Sequence, residues 1–263
     1  MQESEVARQA AASLSAHWRN GKHLEQLPMG LRPRNRKEGY AIQSWWTHEL
    51  GQDIAGWKIA ATSAAGQRHI GVSGPLAGPV FAGKMLSDGA GISLAGNRMC
   101  VAEGEFVFMM GQTLPFQSKP YTREEVLAAV SAIHPGIEIP NSRFLNFEDA
   151  GEAQLIADCA CSHQMVLGAA ATDIGAIDGL INLPVQASVN DGRQFTGSGA
   201  NVLGDPIIAL CWLANELREN QLALKQGQFV TTGSCVAPIP VAPGQRVSMD
   251  FGWVGSISAS FIE

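Results

Sequence analysis

A chain of 263 residues, 46% hydrophobic and 16% charged, has enough apolar material for one large core but too little for two large domains. Its formal net charge of −6 and pI near 5.5 provide no positive surface to neutralise phosphates, which sets nucleic-acid binding aside. No stretch approaches the ~20 apolar residues of a bilayer span, and Met1-Gln2-Glu3-Ser4-Glu5 lacks the basic start and apolar run of a secretion signal, so a cytoplasmic protein without membrane contact is expected.

Val6, Ala10, Leu14 and Trp18 recur every fourth residue and predict an amphipathic first helix. A polar loop with Pro28, Gly30 and Pro33 follows, and its Arg32, Arg34, Arg36 and Lys37 read as an exposed basic stretch. A second helix is expected over residues 38–50, with Tyr40, Trp46 and Leu50 on one face. Residues 1–52 are therefore read as a helical N-terminal segment and 53–263 as the body.

From Ile54 the pattern changes to short strands cut by glycine and proline. Strands are expected at Ile54–Ala60, Met99–Met110, Gly136–Pro140, Met165–Gly168 and Val185–Asn190. The last of these enters Asn190-Asp191-Gly192, a hairpin turn signal. Gln228–Thr232, Arg246–Phe251 and Ser256–Ile262 complete the set. Two helices interrupt them. One starts at Thr122, which can form a capping box with Glu125. The other starts at Asp205-Pro206, a cap followed by proline in the first turn, with Ile207, Leu210, Cys211, Ala214 and Leu217 toward the core. The five cysteines, at 100, 159, 161, 211 and 235, lack zinc or disulfide spacing and read as small buried groups in a reducing compartment.

The segment Cys100-Val-Ala-Glu103-Gly104-Glu105-Phe-Val-Phe-Met-Met110 is the most informative. Strand alternation puts Val101, Glu103, Glu105, Val107 and Met109 on one face, and both faces are largely apolar. Two carboxylates in such a strand repel each other unless a proton or a cation intervenes; hard oxygen ligands suit Mg²⁺. Exposed glutamates on an edge strand, or partners for two arginines, are the plainer alternatives. Glu138, between two isoleucines, is a third costly acid, with a salt bridge to Arg143 as its alternative. Lys58 lies inside Ile54-Ala-Gly-Trp57-Lys58-Ile59-Ala60. It can snorkel to the surface or balance the remaining negative charge of a triglutamate–Mg²⁺ centre. The six histidines are dispersed, with His134 and His163 read as structural, and no serine occupies a G-x-S-x-G elbow.

Gly56-Trp57-Lys58, Glu103-Gly-Glu105, Ile137-Glu138, Ser142-Arg143, Gly197-Ser-Gly199, Leu203-Gly204-Asp-Pro206, Thr232-Gly233, Pro243-Gly244 and Gly255-Ser256 occur in that order, and Tyr40-Ala-Ile-Gln43 precedes them. In these the chain, from about residue 40 onward, resembles the 2-keto-4-pentenoate hydratase family, the hydratase/decarboxylase branch of the fumarylacetoacetate hydrolase superfamily. The resemblance implies an α+β fold built on a mixed β-sheet roll or barrel with flanking helices, and homo-oligomeric assembly. It implies Mg²⁺ or Mn²⁺ on Glu103, Glu105 and Glu138, with Lys58 as acid/base and Thr232 and Gly233 at the substrate. The implied activity is a hydro-lyase of aromatic-compound catabolism that adds water to an unsaturated 2-oxo acid such as 2-hydroxypenta-2,4-dienoate, giving a 4-hydroxy-2-oxo acid.

Two departures limit what carries over. The family's Phe-Ala-Asp-Met is here Phe81-Ala82-Gly83-Lys84-Met85, so a carboxylate that assists proton transfer is missing, and Asp88 lies beyond it. The family's Asp-Asn pair is Asp158-Cys159. Lys84 is then a candidate to recognise a second acidic group on a longer substrate. Decarboxylation of a 2-oxo diacid, hydrolysis of an acylpyruvate, and a decayed protein that binds metal or 2-oxo acid without turnover are the alternatives.

Overall fold

A computed structural model describes residues 2–171 and 174–263. The first helix, α1 (Gln2–Asn20), buries Ala7, Ala10, Ala11 and Leu14. The stretch expected as one helix over 38–50 is two, α2 (Arg36–Gln43) and α3 (Trp46–Leu50). The break at Ser44-Trp45 lets Trp46 drop fully into the core, where its Nε1 donates to the Ala157 carbonyl at 2.8 Å. These helices share a core cluster with the sheets that follow.

The body contains β1 (Ile54–Ala60), α4 (Ala64–His69), β2 (Leu76–Phe81), β3 (Met85–Ser87), β4 (Gly91–Ser93) and β5 (Val101–Met110). After these come α5 (Arg123–Ala128), β6 (Val130–Ile139), α6 (Glu152–Ala157), β7 (Gln164–Leu167), β8 (Pro184–Val189) and β9 (Gln194–Ser198). The chain ends with α7 (Pro206–Glu219), β10 (Phe229–Ser234), β11 (Ile239–Pro240), β12 (Arg246–Asp250) and β13 (Ser256–Ile262). The Thr122–Glu125 capping box forms, and the Asp205 side chain caps α7 with Pro206 in its first turn. Cys211 is only partly buried; Leu213 takes the core position beside Leu210 and Ala214.

One sheet runs β2-β1-β10-β5-β6-β7-β3, with β11 added to β5. Its outermost strands, β2 and β3, are joined by only the short turn Ala82–Lys84. A flat sheet cannot satisfy that link, so the sheet curls until its two edges approach. Val80, Val107, Met165 and Phe229 fill the inside of the curl. The second sheet, β4-β13-β12-β8-β9, packs on its outside. Phe106 meets Phe251 edge-on at 5.3 Å, and a Cβ at Gly104 would lie 2.6 Å from the Met249 sulfur. Glycine between the two glutamates is thus what lets the sheets touch. Mixed strand directions, a curled sheet and flanking helices make this an α+β fold of the kind expected from the sequence.

Gly78-Pro79 in β2 and Pro135-Gly136 in β6 look like breakers, so β2 goes unexpected and β6 is expected only from Gly136; yet β2 ends the sheet, where proline is tolerated, and β6 runs through its proline from Val130. Cys100, expected inside a strand from Met99, has φ 47 and instead delays β5 to Val101.

Candidate active site

β5 and β6 are antiparallel, with Glu103 directly opposite Glu138. Glu105 lies two residues along β5 and therefore on the same face. One oxygen from each of the three carboxylates lies within 4.8 Å of the others. Lys58 enters from β1, opposite Thr231 of β10, and its Nζ reaches Glu138 Oε1 at 3.1 Å and donates to the Ala160 carbonyl at 3.0 Å. Exposure falls to 2% at Lys58, 1% at Glu138 and 0% at Glu105; Glu103 is partly exposed. The structure therefore brings these four residues together inside the open end of the curled sheet.

A bulge in β10 finishes the frame. Its register with β5 shifts between Thr231 and Ser234, and Gly233 within it has φ +99, a conformation open to glycine and costly to others. That turn aims the Gly233 N–H at Glu105 Oε2, 2.7 Å away, and the Thr231 hydroxyl donates to the same oxygen. The remaining oxygens are left open. Among the described residues, Glu105 Oε1 and both Glu138 oxygens are buried without a hydrogen bond, Glu138 Oε1 having only the Lys58 ammonium as an ion-pair partner. Buried acceptors are seldom left so, since each carries a full desolvation penalty. Burial first, then the neighbouring carboxylates, pushes the Glu105 acid well above its ordinary range. Burial raises Glu138 too, against the pull of Lys58. Burial pulls the Lys58 ammonium down, but Glu138, Glu103 and Glu105 outweigh it and hold the group above its ordinary value. Three carboxylates against one ammonium leave two negative charges. A divalent cation restores neutrality and supplies the partner that the open oxygens lack, so the donor set fits such an ion.

The Ala160 carbonyl reaches Lys58 through a strained turn. Cys159, Ala160 and Cys161 have φ of 53, 51 and 60, each costing roughly 1–2 kcal/mol for a residue other than glycine. A buried ion pair holds them. Asp158, fully buried, accepts from the Ser142 hydroxyl at 2.8 Å, from the Arg143 amide at 3.0 Å and from Arg143 Nε. Arg143 also donates to the Ser162 carbonyl at 3.1 Å and lies over the Trp18 ring at 4.5 Å. Arg143 thus pairs with Asp158; Lys58 is the partner of Glu138. The turn fits because residue 78 is glycine, where a Cβ would sit 2.0 Å from the Cys159 carbonyl oxygen.

Lys58 and Glu103 line a cavity of roughly 600 Å³, together with Ala160 and Cys161. The other candidates from the sequence lie elsewhere. Lys84 sits over Trp18 at 5.2 Å and is not among the lining residues. The Thr232 hydroxyl donates to the Phe106 carbonyl at 3.1 Å, away from the cavity. Gly233 contributes through Glu105. Asp88, considered as a replacement carboxylate, accepts from the Ser258 amide at 2.7 Å in the second sheet. His134 bonds the Gly168 carbonyl, and burial pushes His163, packed on Trp18, down to about 3. Thr231 and the Ala160 carbonyl carried no signal in the sequence, because a strand register and a left-handed turn placed them.

No family model matches the chain. Among curated proteins, a 2-keto-4-pentenoate hydratase of Paraburkholderia xenovorans is 30% identical over 257 residues, covering 96% of this chain and 94% of the relative. The chain belongs to the 2-keto-4-pentenoate hydratase family. A 2-hydroxyhexa-2,4-dienoate hydratase of Comamonas testosteroni, another of its relatives, is 34% identical over 215 residues, 81% of this chain and 80% of that one. Among solved structures, a 4-oxalocrotonate decarboxylase from Pseudomonas putida G7, complexed with magnesium and adipate, superposes with a TM-score of 0.87 at 26% identity, covering 98% of each chain. The family thus spans hydratases and decarboxylases. No helix among the described residues is long and apolar enough to cross a membrane.

Proposed function

We propose that this protein is a Mg²⁺- or Mn²⁺-dependent hydro-lyase that adds water to a 2-hydroxy-2,4-dienoate, giving a 4-hydroxy-2-oxo acid. The observation that supports it is the set of three converging carboxylates, two of them buried with oxygens that lack a hydrogen bond, beside a buried lysine at the head of a cavity. Glu103, Glu105 and Glu138 would hold the ion, which would supply a template for the acid and 2-oxo oxygens and polarise the carbonyl as a Lewis acid.

The chain's own groups handle the protons. Lys58, held as an ammonium by its carboxylate neighbours, acts as the donor. Ketonisation takes the proton from the substrate's enol oxygen and places one on C5. Hydration then adds the water oxygen at C4 and a proton at C3. The Ala160 carbonyl fixes the direction of the ammonium, and the apolar walls keep other water away from the conjugated chain.

A second reading, decarboxylation of an oxalocrotonate-type diacid, is favoured by the structural likeness to a decarboxylase and needs the same polarised carbonyl. Purified protein with Mg²⁺ and 2-hydroxypenta-2,4-dienoate should bleach the conjugated absorbance, and EDTA should stop it. CO₂ release from the diacid, with no bleaching of the dienoate, would replace the hydratase by the decarboxylase. Metal-independent turnover would remove both.

A further inference from the structure

The cavity in front of Lys58 is larger than a five-carbon acid needs, and its walls are mainly apolar, with Thr62, Ser63, Asn201 and Ser234 as the uncharged polar side chains among them. Its volume, roughly 600 Å³, falls in the range that encloses drug-sized ligands. Ile70, Leu76, Met99, Phe147, Leu155 and Val236 line it; Leu76 and Leu155 are fully buried. Charge is concentrated at one end, where Lys58 and Glu103 stand. Among the described residues lining the cavity there is no arginine, and the single lysine, Lys58, is engaged by Glu138 and the Ala160 carbonyl. His69 is exposed at the rim, its ring edge-on to Phe147 at 6.0 Å. Lys84, the other cation considered for a distal acid, is stacked on Trp18 outside the lining.

We infer that the substrate is a 2-hydroxy-2,4-dienoic monoacid carrying an apolar alkyl or aryl group at its distal end, and that neither the bare five-carbon acid nor a diacid is preferred. The inference rests on the proposed dienoate chemistry of the same site. Two physical effects carry it. Each methylene moved from water into the apolar wall improves binding about four-fold. A distal carboxylate placed there would leave water for a surface with no counter-charge, which is strongly disfavoured. Ile70 and Phe147, half-buried toward the rim, are the residues that would meet the distal group.

Two series test this on the intact protein with Mg²⁺. In the first, kcat/KM is compared for the 2-hydroxy-dienoates of five, six and eight carbons, a phenyl-substituted member and an oxalocrotonate-type diacid. A rise of about four-fold per methylene, with the diacid at least a hundred-fold below the eight-carbon acid, is expected. A flat or falling alkyl series, or a diacid that reacts best, overturns the inference. In the second, calorimetry measures binding of pyruvate, 2-oxohexanoate, 2-oxooctanoate and 2-oxoadipate. Affinity should rise with chain length and fall at least ten-fold from 2-oxohexanoate to 2-oxoadipate, whether or not any dienoate turns over. A missing trend with intact turnover overturns the inference alone; no binding of any 2-oxo acid removes the proposed function with it. Ile70→Arg should raise the affinity of 2-oxoadipate relative to 2-oxohexanoate by ten-fold or more. An unchanged ratio in the folded variant contradicts the assignment of the wall, and should that variant not fold, the two wild-type series decide.

Discussion

Replacing Lys58 with methionine separates the two things this lysine does. Its Nζ lies 3.1 Å from a Glu138 oxygen, a separation at which opposite unit charges attract by about 5 kcal/mol at an effective dielectric constant near 20. Desolvation offsets part of that, and breaking a buried pair by removing one member typically costs roughly 3–5 kcal/mol. Without metal, Lys58→Met should therefore lower the melting temperature by roughly 10 °C for a chain of this size. With metal the effect should reverse in sign at the site. The ammonium competes with a cation for the Glu138 carboxylate, so its removal should tighten Mn²⁺ binding at least ten-fold, about 1.4 kcal/mol. Turnover should fall below detection while metal binding improves. Calorimetric titration with Mn²⁺, melting curves with and without it, and the dienoate assay give the three readings. Unchanged metal affinity together with an unchanged metal-free melt would refute the charge argument, because neither is compatible with a lysine buried among these carboxylates.

Asp158→Asn leaves the Arg143 guanidinium buried without its counter-charge and loosens the turn that carries Ala160. A loss of roughly 3–5 kcal/mol by urea denaturation is expected, together with a fall in kcat measured well below the new melting point; full activity in the folded variant would show that the Ala160 carbonyl does not position Lys58. His163 is held at about 3 by burial against an ordinary 6.5. A base whose folded value is depressed is protonated more readily in the unfolded chain, so its contribution is intact above 6.5 and is lost as pH falls from 6.5 toward 3. About 1.4 kcal/mol per pH unit is expected in that window, hence roughly 2 kcal/mol between pH 6.5 and 5. His163→Phe should flatten that slope in urea denaturation at the two pH values, and an unaltered slope would contradict the burial of a neutral imidazole.

The site was legible where burial and charge conflict in the sequence itself. Glu103 and Glu105 share a face because strand residues alternate, and an acid between Ile137 and Ile139 has no cheap place to go. Lys58 stood out in the same way. What was not legible depends on contacts between distant segments. Nothing in Asp158-Cys159-Ala160-Cys161 announces three left-handed residues; an ion pair to Arg143 and a glycine at 78 make them tolerable. Thr232 is expected at the substrate, but β10 pairs Thr231 with Val107, on the face of Glu105, and strand alternation sends Thr232 to a backbone carbonyl. Lys84 stands over Trp18 and not at the cavity, because the curl of the sheet delivers it there. The β2 strand was hidden by Gly78-Pro79, residues that break an interior strand but suit the edge of this one.

The measurement that bears most directly on the account is an anomalous difference map from crystals grown with Mn²⁺. A peak bonded by Glu103, Glu105 and Glu138, with Lys58 beside it, and lost in Glu138→Gln, is the result expected. Manganese absent from that position at millimolar concentration, with the three side chains unmoved and Lys58 still bridging to Glu138, would contradict it.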